Sequence, residues 1–147
     1  MIQSRGLWKQ LPLLASVGAL GFWLANFAIS RTLIAAEYRA ALSIAYVPML
    51  LEALLGGLIL GTCISYTLLR FFDRLPTENP IFKALFLSSI ALVVVTVLVE
   101  VPAKLLTPTI GFWRCFLVAG LFNVVRFSVL GAAIGYAYSG LNRSGRS

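Results

Sequence analysis

Three ionisable side chains, Glu52, Glu100 and Arg126, lie inside long apolar stretches of this 147-residue sequence. If those stretches are buried in lipid, each charge costs roughly 2.5–3.5 kcal/mol to insert and needs a partner. Arg126 has no acid nearby on its own helix, only Asn123 three residues before it. We therefore predict a Glu52–Arg126 ion pair between two helices, since arginine can meet a carboxylate bidentately. Such a pair either fixes how the helices pack or forms a gate or ligand site.

A second charged pair is predicted within one helix. Glu100 precedes Lys104 by four residues, which is the favourable order for a side-chain ion pair. Lys104 can extend its amine towards the lipid headgroups. Five polar residues recur at helical spacing and form a predicted polar stripe: Ser89, Thr96, Glu100, Lys104 and Thr107.

Prolines lie close to both acids. Pro48 precedes Glu52, and Pro102 follows Glu100. A proline inside a helix frees the carbonyl four residues earlier, so we predict kinks at both prolines. Freed carbonyls beside carboxylates resemble the broken helices of transporters, although prolines are also common in membrane helices generally.

Two pairs of glycines have the spacing of close helix-packing motifs, Gly57 with Gly61 and Gly131 with Gly135. Glycines four apart let two helix backbones approach closely. At about 100° per residue, each glycine pair lies on the side of its helix opposite the charged residue. We expect these faces to contact other helices, and a homo-oligomer or a partner membrane subunit follows naturally.

The composition indicates an integral membrane protein. Sixty per cent of the residues are apolar and 12% are charged, against roughly 25% charged in soluble domains. The net charge is +7, but the basic residues occur singly or in pairs, so no nucleic-acid surface is predicted. The sequence has no histidine, which removes the commonest metal ligand and general base, and no metal or cofactor is expected. Cys63 and Cys115 are predicted too far apart for a disulfide.

The charged residues are positioned by four predicted membrane spans that form an all-α four-helix bundle in one domain, residues 1–147. The spans are residues 11–30, 43–69, 80–106 and 112–139. Asn79 and Pro80 mark the start of the third span as helix cap and first helical residue. The first span also has features of a signal peptide, but its small-residue cleavage pattern is poor, so we predict that it is retained.

The connections predict the orientation of the chain. Seven basic residues lie in or next to the N-terminus, the second connection and the C-terminus: Arg5, Lys9, Arg70, Arg74, Lys83, Arg143 and Arg146. Four lie on the other side: Arg31, Arg39, Lys104 and Arg114. Both termini are therefore predicted in the cytoplasm, in a multi-pass protein of the cytoplasmic membrane. The first connection, residues 31–42, is either a short amphipathic helix at the interface or an extension of the neighbouring spans.

Two functional hypotheses follow. The first is an assembly or interaction subunit of a membrane complex, without enzymatic activity, whose glycine faces contact partners. The second is a small oligomeric transporter or channel. Its polar path would be lined by Glu52, Glu100, Asn123 and Arg126. A lipid-modifying enzyme lacks an acid–base set near either interface.

Overall fold

The structure, a computed structural model, describes residues 4–106 and 111–144 and is helical in these two ranges, without strands. A 3₁₀ turn, Phe72–Arg74, follows the third helix, and a π-helical turn, Thr96–Glu100, joins the fourth to the fifth. The helices are α1 (Ser4–Ser30), α2 (Leu33–Ala41), α3 (Tyr46–Phe71), α4 (Pro80–Val95), α5 (Val101–Leu106) and α6 (Phe112–Ser144).

Four helical segments are long and apolar enough to cross a membrane, which confirms the predicted all-helical architecture. Their mean hydropathies are 1.7, 2.0, 2.5 and 1.9 in chain order. The segments are Trp8–Ser30, Tyr46–Arg74, Pro80–Leu106 and Phe112–Leu141. Segments that pack together run antiparallel, since Gly57 meets Phe22 while Gly61 meets Ala15 further back along α1. The bundle therefore has a terminal end, with the start of α1 and the end of α6, and an α2 end, with α2 and the start of α6.

The segment from Pro80 to Leu106 begins as predicted and then changes its hydrogen bonding. The Asn79 side chain accepts a 2.9 Å hydrogen bond from the Ile81 amide, with Pro80 as the first helical residue. Further on, the Val101 amide bonds to the Thr96 carbonyl, which closes a π turn. Pro102 follows immediately and has no amide hydrogen to donate, so regular α-helical bonding is interrupted here.

The predicted kink at Pro48 is wrong. Helix α3 begins at Tyr46 after the cap residue Ala45, so Pro48 lies in its first turn. Amide hydrogens in the first turn have no partner within a helix, and a proline there removes no hydrogen bond. The carbonyl of Ile44 lies before the helix and is not freed by the proline.

Helices α1 and α6 form the centre of the bundle. Helix α1 packs against α3 on one side and α6 on the other, and α4 packs against the far side of α6. Helices α3 and α6 touch only slightly. The side chains of Leu14, Leu68, Leu130 and Ile134 are fully buried in the core between them.

The glycine pairs pack against neighbouring helices of the same chain. A Cβ added at Gly61 would lie 2.7 Å from the Ala15 carbonyl oxygen of α1. A Cβ at Gly135 would lie 2.5 Å from the Ile81 Cα of α4. Gly57 similarly faces α1, and Gly131 faces α4. These faces are therefore filled within the chain, which removes the reason for placing a second chain against them.

Helix α1 also contributes glycines that the sequence analysis did not single out. A Cβ at Gly18 would lie 2.7 Å from Cγ1 of Ile134, and one at Gly21 would lie 3.1 Å from the Ala133 Cβ. The small residues on one face of α1 thus let α6 approach closely. This contact makes α1 one of the two central helices of the bundle.

The first connection forms a separate helix and does not extend the neighbouring spans. Thr32 caps α2 by accepting a 3.2 Å hydrogen bond from the Ala35 amide. The chain turns into α3 through Ser43, whose φ of 53° lies in the left-handed region. Helix α2 folds over α6, where Glu37 forms a 2.9 Å ion pair with Arg114.

Candidate functional site

A cavity of about 450 Å³ lies between α1, α2, α3, α6 and the π turn. Its volume falls within the range of roughly 300–1,000 Å³ that is typical of small-molecule sites. Apolar side chains such as Phe22, Leu60 and Phe127 form much of the wall. The polar and charged residues that line it are Asn26, Ser30, Tyr38, Arg39, Glu52, Glu100, Asn123 and Arg126.

A chain of polar contacts crosses one wall of this cavity. Lys104 donates to Glu100 Oε2, so the predicted pair between these residues is confirmed. Asn123 donates from Nδ2 to Glu100 Oε1 at 3.1 Å, and its own Oδ1 accepts a 3.2 Å hydrogen bond from Arg126 Nη1. Asn123 is 5% exposed and therefore links the acid and the guanidinium in a buried setting.

The predicted direct contact between Glu52 and Arg126 is absent from the described part of the chain. The ion pairs there are Lys104–Glu100 and Glu37–Arg114. Because α1 packs between α3 and α6, Glu52 and Arg126 line the same cavity without an ion pair between them. Arg126 instead uses the amide on its own helix, three residues earlier.

Asn26 of α1 is the site residue that the sequence analysis missed. It lines the cavity, is 1% exposed, and its Nδ2 has no hydrogen-bond partner in the described structure. The Nε of Arg126 is likewise buried without a partner. A side-chain amide in an otherwise apolar span was the available signal, since burying such a group unpaired is unfavourable.

The α2 end of the cavity is lined by a second set of polar contacts. Arg39 donates from Nη1 to the Ser30 carbonyl at 2.9 Å, and its guanidinium lies 5.1 Å from the centre of the Tyr46 ring. Tyr38 packs edge-on against Phe122, with ring centres 6.1 Å apart. Burial raises the pKa of the Tyr38 phenol above its ordinary value, while the nearby Lys104 amine opposes that shift.

The cavity opens sideways between α3 and the π turn. Ile59 and Val99 line it from opposite sides, yet they are 65% and 58% exposed. Gly56 also lines it, and a Cβ added there would meet nothing within 4 Å. Glu52 is exposed on the same side of α3. The opening therefore has an acid on one edge and apolar side chains beside it.

The predicted polar stripe does not act as one surface. Ser89 is exposed, and its hydroxyl donates a 2.9 Å hydrogen bond to the Leu85 carbonyl of its own helix. Thr96 begins the π turn and is half-buried. Thr107 lies outside the described residues. Of the four residues of this set that the structure describes, Glu100 and Lys104 take part in the polar chain described above.

A buried lysine lies near the opposite end of the bundle from α2. Lys83 is 4% exposed, donates to the Phe72 carbonyl at 2.5 Å, and lies 3.6 Å from the centre of the Phe72 ring. From the sequence, Lys83 was expected only to be a basic residue at a span end. Its contacts satisfy a carbonyl where α3 ends, which indicates a structural role.

Comparison of the chain with protein-family models, curated proteins and solved structures finds no match.

Proposed function

We propose that this protein is a four-span membrane protein that binds an amphiphilic ligand in the central cavity and carries it within or across the bilayer. The observation that carries the proposal is the cavity itself, which brings together Glu52, Glu100, Asn123 and Arg126. These are the residues expected to line the polar path of a transporter. Ionisable groups inside membrane segments are a signature of ligand and ion pathways.

The π turn gives further support. It places Glu100 on the cavity wall, and such turns occur frequently at functional sites. By contrast, the glycine faces that favoured an assembly subunit are occupied by α1 and α4. A ligand-binding role therefore takes precedence over an assembly role. We further propose that both termini face the cytoplasm.

The proposal is tested by cysteine labelling in membrane vesicles. Cys63 and Cys115 are both free, so they are first replaced by serine and alanine. We expect Glu52→Cys and Gly56→Cys to react with a membrane-impermeant thiol reagent. Leu55→Cys is the matched control on the same helix, because Leu55 is 62% exposed and does not line the cavity; it should stay unreacted.

Protection of both cavity cysteines, with labelling no higher than at position 55, would contradict a water-accessible site. An assembly subunit predicts that result together with co-purification of another membrane protein from native lipid.

A further inference from the structure

Two buried donors at the cavity are uncommitted. The Nδ2 of Asn26 and the Nε of Arg126 have no hydrogen-bond partner in the described structure. Leaving a buried donor unpaired costs about 1–3 kcal/mol, and more when the group is charged. Both residues line the same cavity. Both groups therefore need a hydrogen-bond acceptor, and the positive charge of the guanidinium favours an anionic acceptor.

One acid at the cavity is also uncommitted. Glu52 forms no ion pair or side-chain hydrogen bond within the described residues. It lies on α3, across the cavity from α6, and is exposed at the lateral opening. A carboxylate without a hydrogen-bond donor favours a cationic group of the ligand that carries N–H hydrogens, because charge-assisted hydrogen bonds are the stronger ones.

The remaining charges at the cavity are already satisfied. Glu100 accepts from Lys104 and Asn123, and Arg39 donates to the Ser30 carbonyl. This leaves one positive and one negative side chain on the cavity wall, held apart by the packing of α1 between their helices. A ligand with a single charge would satisfy only one of them.

The apolar part of the wall indicates the rest of the ligand. Ile59 and Val99 flank the opening between α3 and the π turn, at positions within the apolar part of their spans. An apolar chain leaving the cavity by this route would enter the hydrocarbon region directly. Water-soluble ligands would gain nothing from such an opening.

We propose that the cavity binds a zwitterionic amphiphile with a primary ammonium group. Its phosphate or carboxylate would accept hydrogen bonds from Arg126 and Asn26, its ammonium would meet Glu52, and its apolar chain would pass between α3 and the π turn. This inference rests on the proposed role of the cavity as a ligand site.

The test measures lipid binding to the purified, delipidated protein by native mass spectrometry. The probes are phosphatidylethanolamine, phosphatidylglycerol, which lacks the ammonium, and phosphatidylcholine, whose quaternary ammonium has no hydrogen to donate. Glycerophosphoethanolamine supplies the headgroup without its tails. We expect phosphatidylethanolamine to bind at least about tenfold more tightly than the other three.

Variants assign that preference to the site. Glu52→Gln should weaken phosphatidylethanolamine binding about tenfold and leave phosphatidylglycerol binding unchanged, whereas Arg126→Gln should weaken both. Gly56→Leu should fill the cavity and abolish binding. Gly120→Leu is its matched control, because Gly120 also has nothing within 4 Å of an added Cβ and does not line the cavity. If Arg126→Gln fails to fold, Glu52→Gln and Gly56→Leu still decide the result.

Four outcomes would overturn the inference. If phosphatidylglycerol binds as tightly as phosphatidylethanolamine and Glu52→Gln changes neither affinity, the cavity is only an anion site. Equal binding of glycerophosphoethanolamine would identify a soluble zwitterion. No lipid binding, while Gly56→Cys is still labelled by the soluble thiol reagent, would reject the lipid and leave the ligand-site proposal standing. Loss of labelling as well would reject both.

Discussion

Asn123 determines how the charges of the cavity are arranged. Its amide has both a donor and an acceptor, so it bonds to the Glu100 carboxylate and to the Arg126 guanidinium at once. Lys104 completes the neutralisation of Glu100 from the next turn of the helix. The buried acid therefore depends on two neighbours, while the Nε of Arg126 is buried without a hydrogen-bond partner in the described structure.

Removing the lysine should destabilise the protein more than removing the whole pair. In Lys104→Met the Glu100 carboxylate loses its ammonium partner while Asn123 remains, and breaking such a pair costs about 3 kcal/mol. The Lys104 side chain is 10% exposed and that of Glu100 28%, so solvent screens the pair weakly. Thermal unfolding in detergent measures the effect.

The control is the double variant Lys104→Met, Glu100→Gln, which leaves no uncompensated charge and should recover much of the lost stability. Equal stability of the single and double variants would show that the pair contributes little.

The Tyr38 phenol should make the free energy of unfolding fall at alkaline pH. Burial raises its pKa in the folded protein above the ordinary value of 10.0. Above pH 10 the unfolded chain loses this proton first, so the free energy of unfolding falls as pH rises towards the folded pKa. Denaturation at a series of pH values measures the slope. Tyr38→Phe should show a smaller loss between neutral and strongly alkaline pH, and an identical loss would contradict the assignment.

At the scale of helices, small residues decide which surfaces meet. The two glycine pairs bring α3 against α1 and α4 against α6, while Gly18 brings α1 against α6. The charged sides of α3 and α6 are left at the cavity, because each lies opposite its glycine face. Close helix packing thus creates the space that the polar groups line.

Alanine substitutions should separate packing glycines from the others. Gly135→Ala places a Cβ 2.5 Å from the Ile81 Cα, so we expect a loss of about 2 kcal/mol of stability. Gly120→Ala is the control: nothing lies within 4 Å of the added Cβ, and alanine favours the helix by about 0.5–1 kcal/mol. Thermal unfolding of the two variants should shift in opposite directions, and a shared direction would contradict the packing role.

Helix ends followed from local chemistry and were predictable at this scale. Asn79 and Pro80 start α4 through their own hydrogen-bonding properties. The effect of Pro48 was not predictable without the start of α3, because a proline acts as a helix breaker only beyond the first turn. The π turn before Pro102 was not predictable either, because it depends on the Val101 amide bonding to the Thr96 carbonyl, five residues earlier.

At the scale of the whole molecule, the bundle is held around two central helices. Helices α1 and α6 are flanked by α3 and α4, and α2 covers the end where α6 begins. Four membrane-length segments, antiparallel where they pack, bring the start of α1 and the end of α6 to the same end of the bundle. The excess of basic residues at that end underlies the predicted orientation.

The orientation can be measured with reporter tags. Tags fused to either terminus should be digested by protease only when it is added to the cytoplasmic side of sealed vesicles, because basic connections are retained there. A tag placed in the α2 connection is the control and should be accessible from the opposite side. Digestion of the terminal tags by protease on the opposite side would show that the orientation is the reverse of the predicted one.

The sequence by itself determined the four apolar helices, the start of α4 and the Glu100–Lys104 pair, since each depends on residues close together in the chain. It also placed Glu52 and Arg126 inside spans and on the faces opposite their glycines. The order of the helices around the bundle was decided only by tertiary packing, because the small residues of α1 allowed it to lie between α3 and α6. That placement separates Glu52 from Arg126, buries Asn26 beside them, and turns an expected ion pair into the two sides of a cavity.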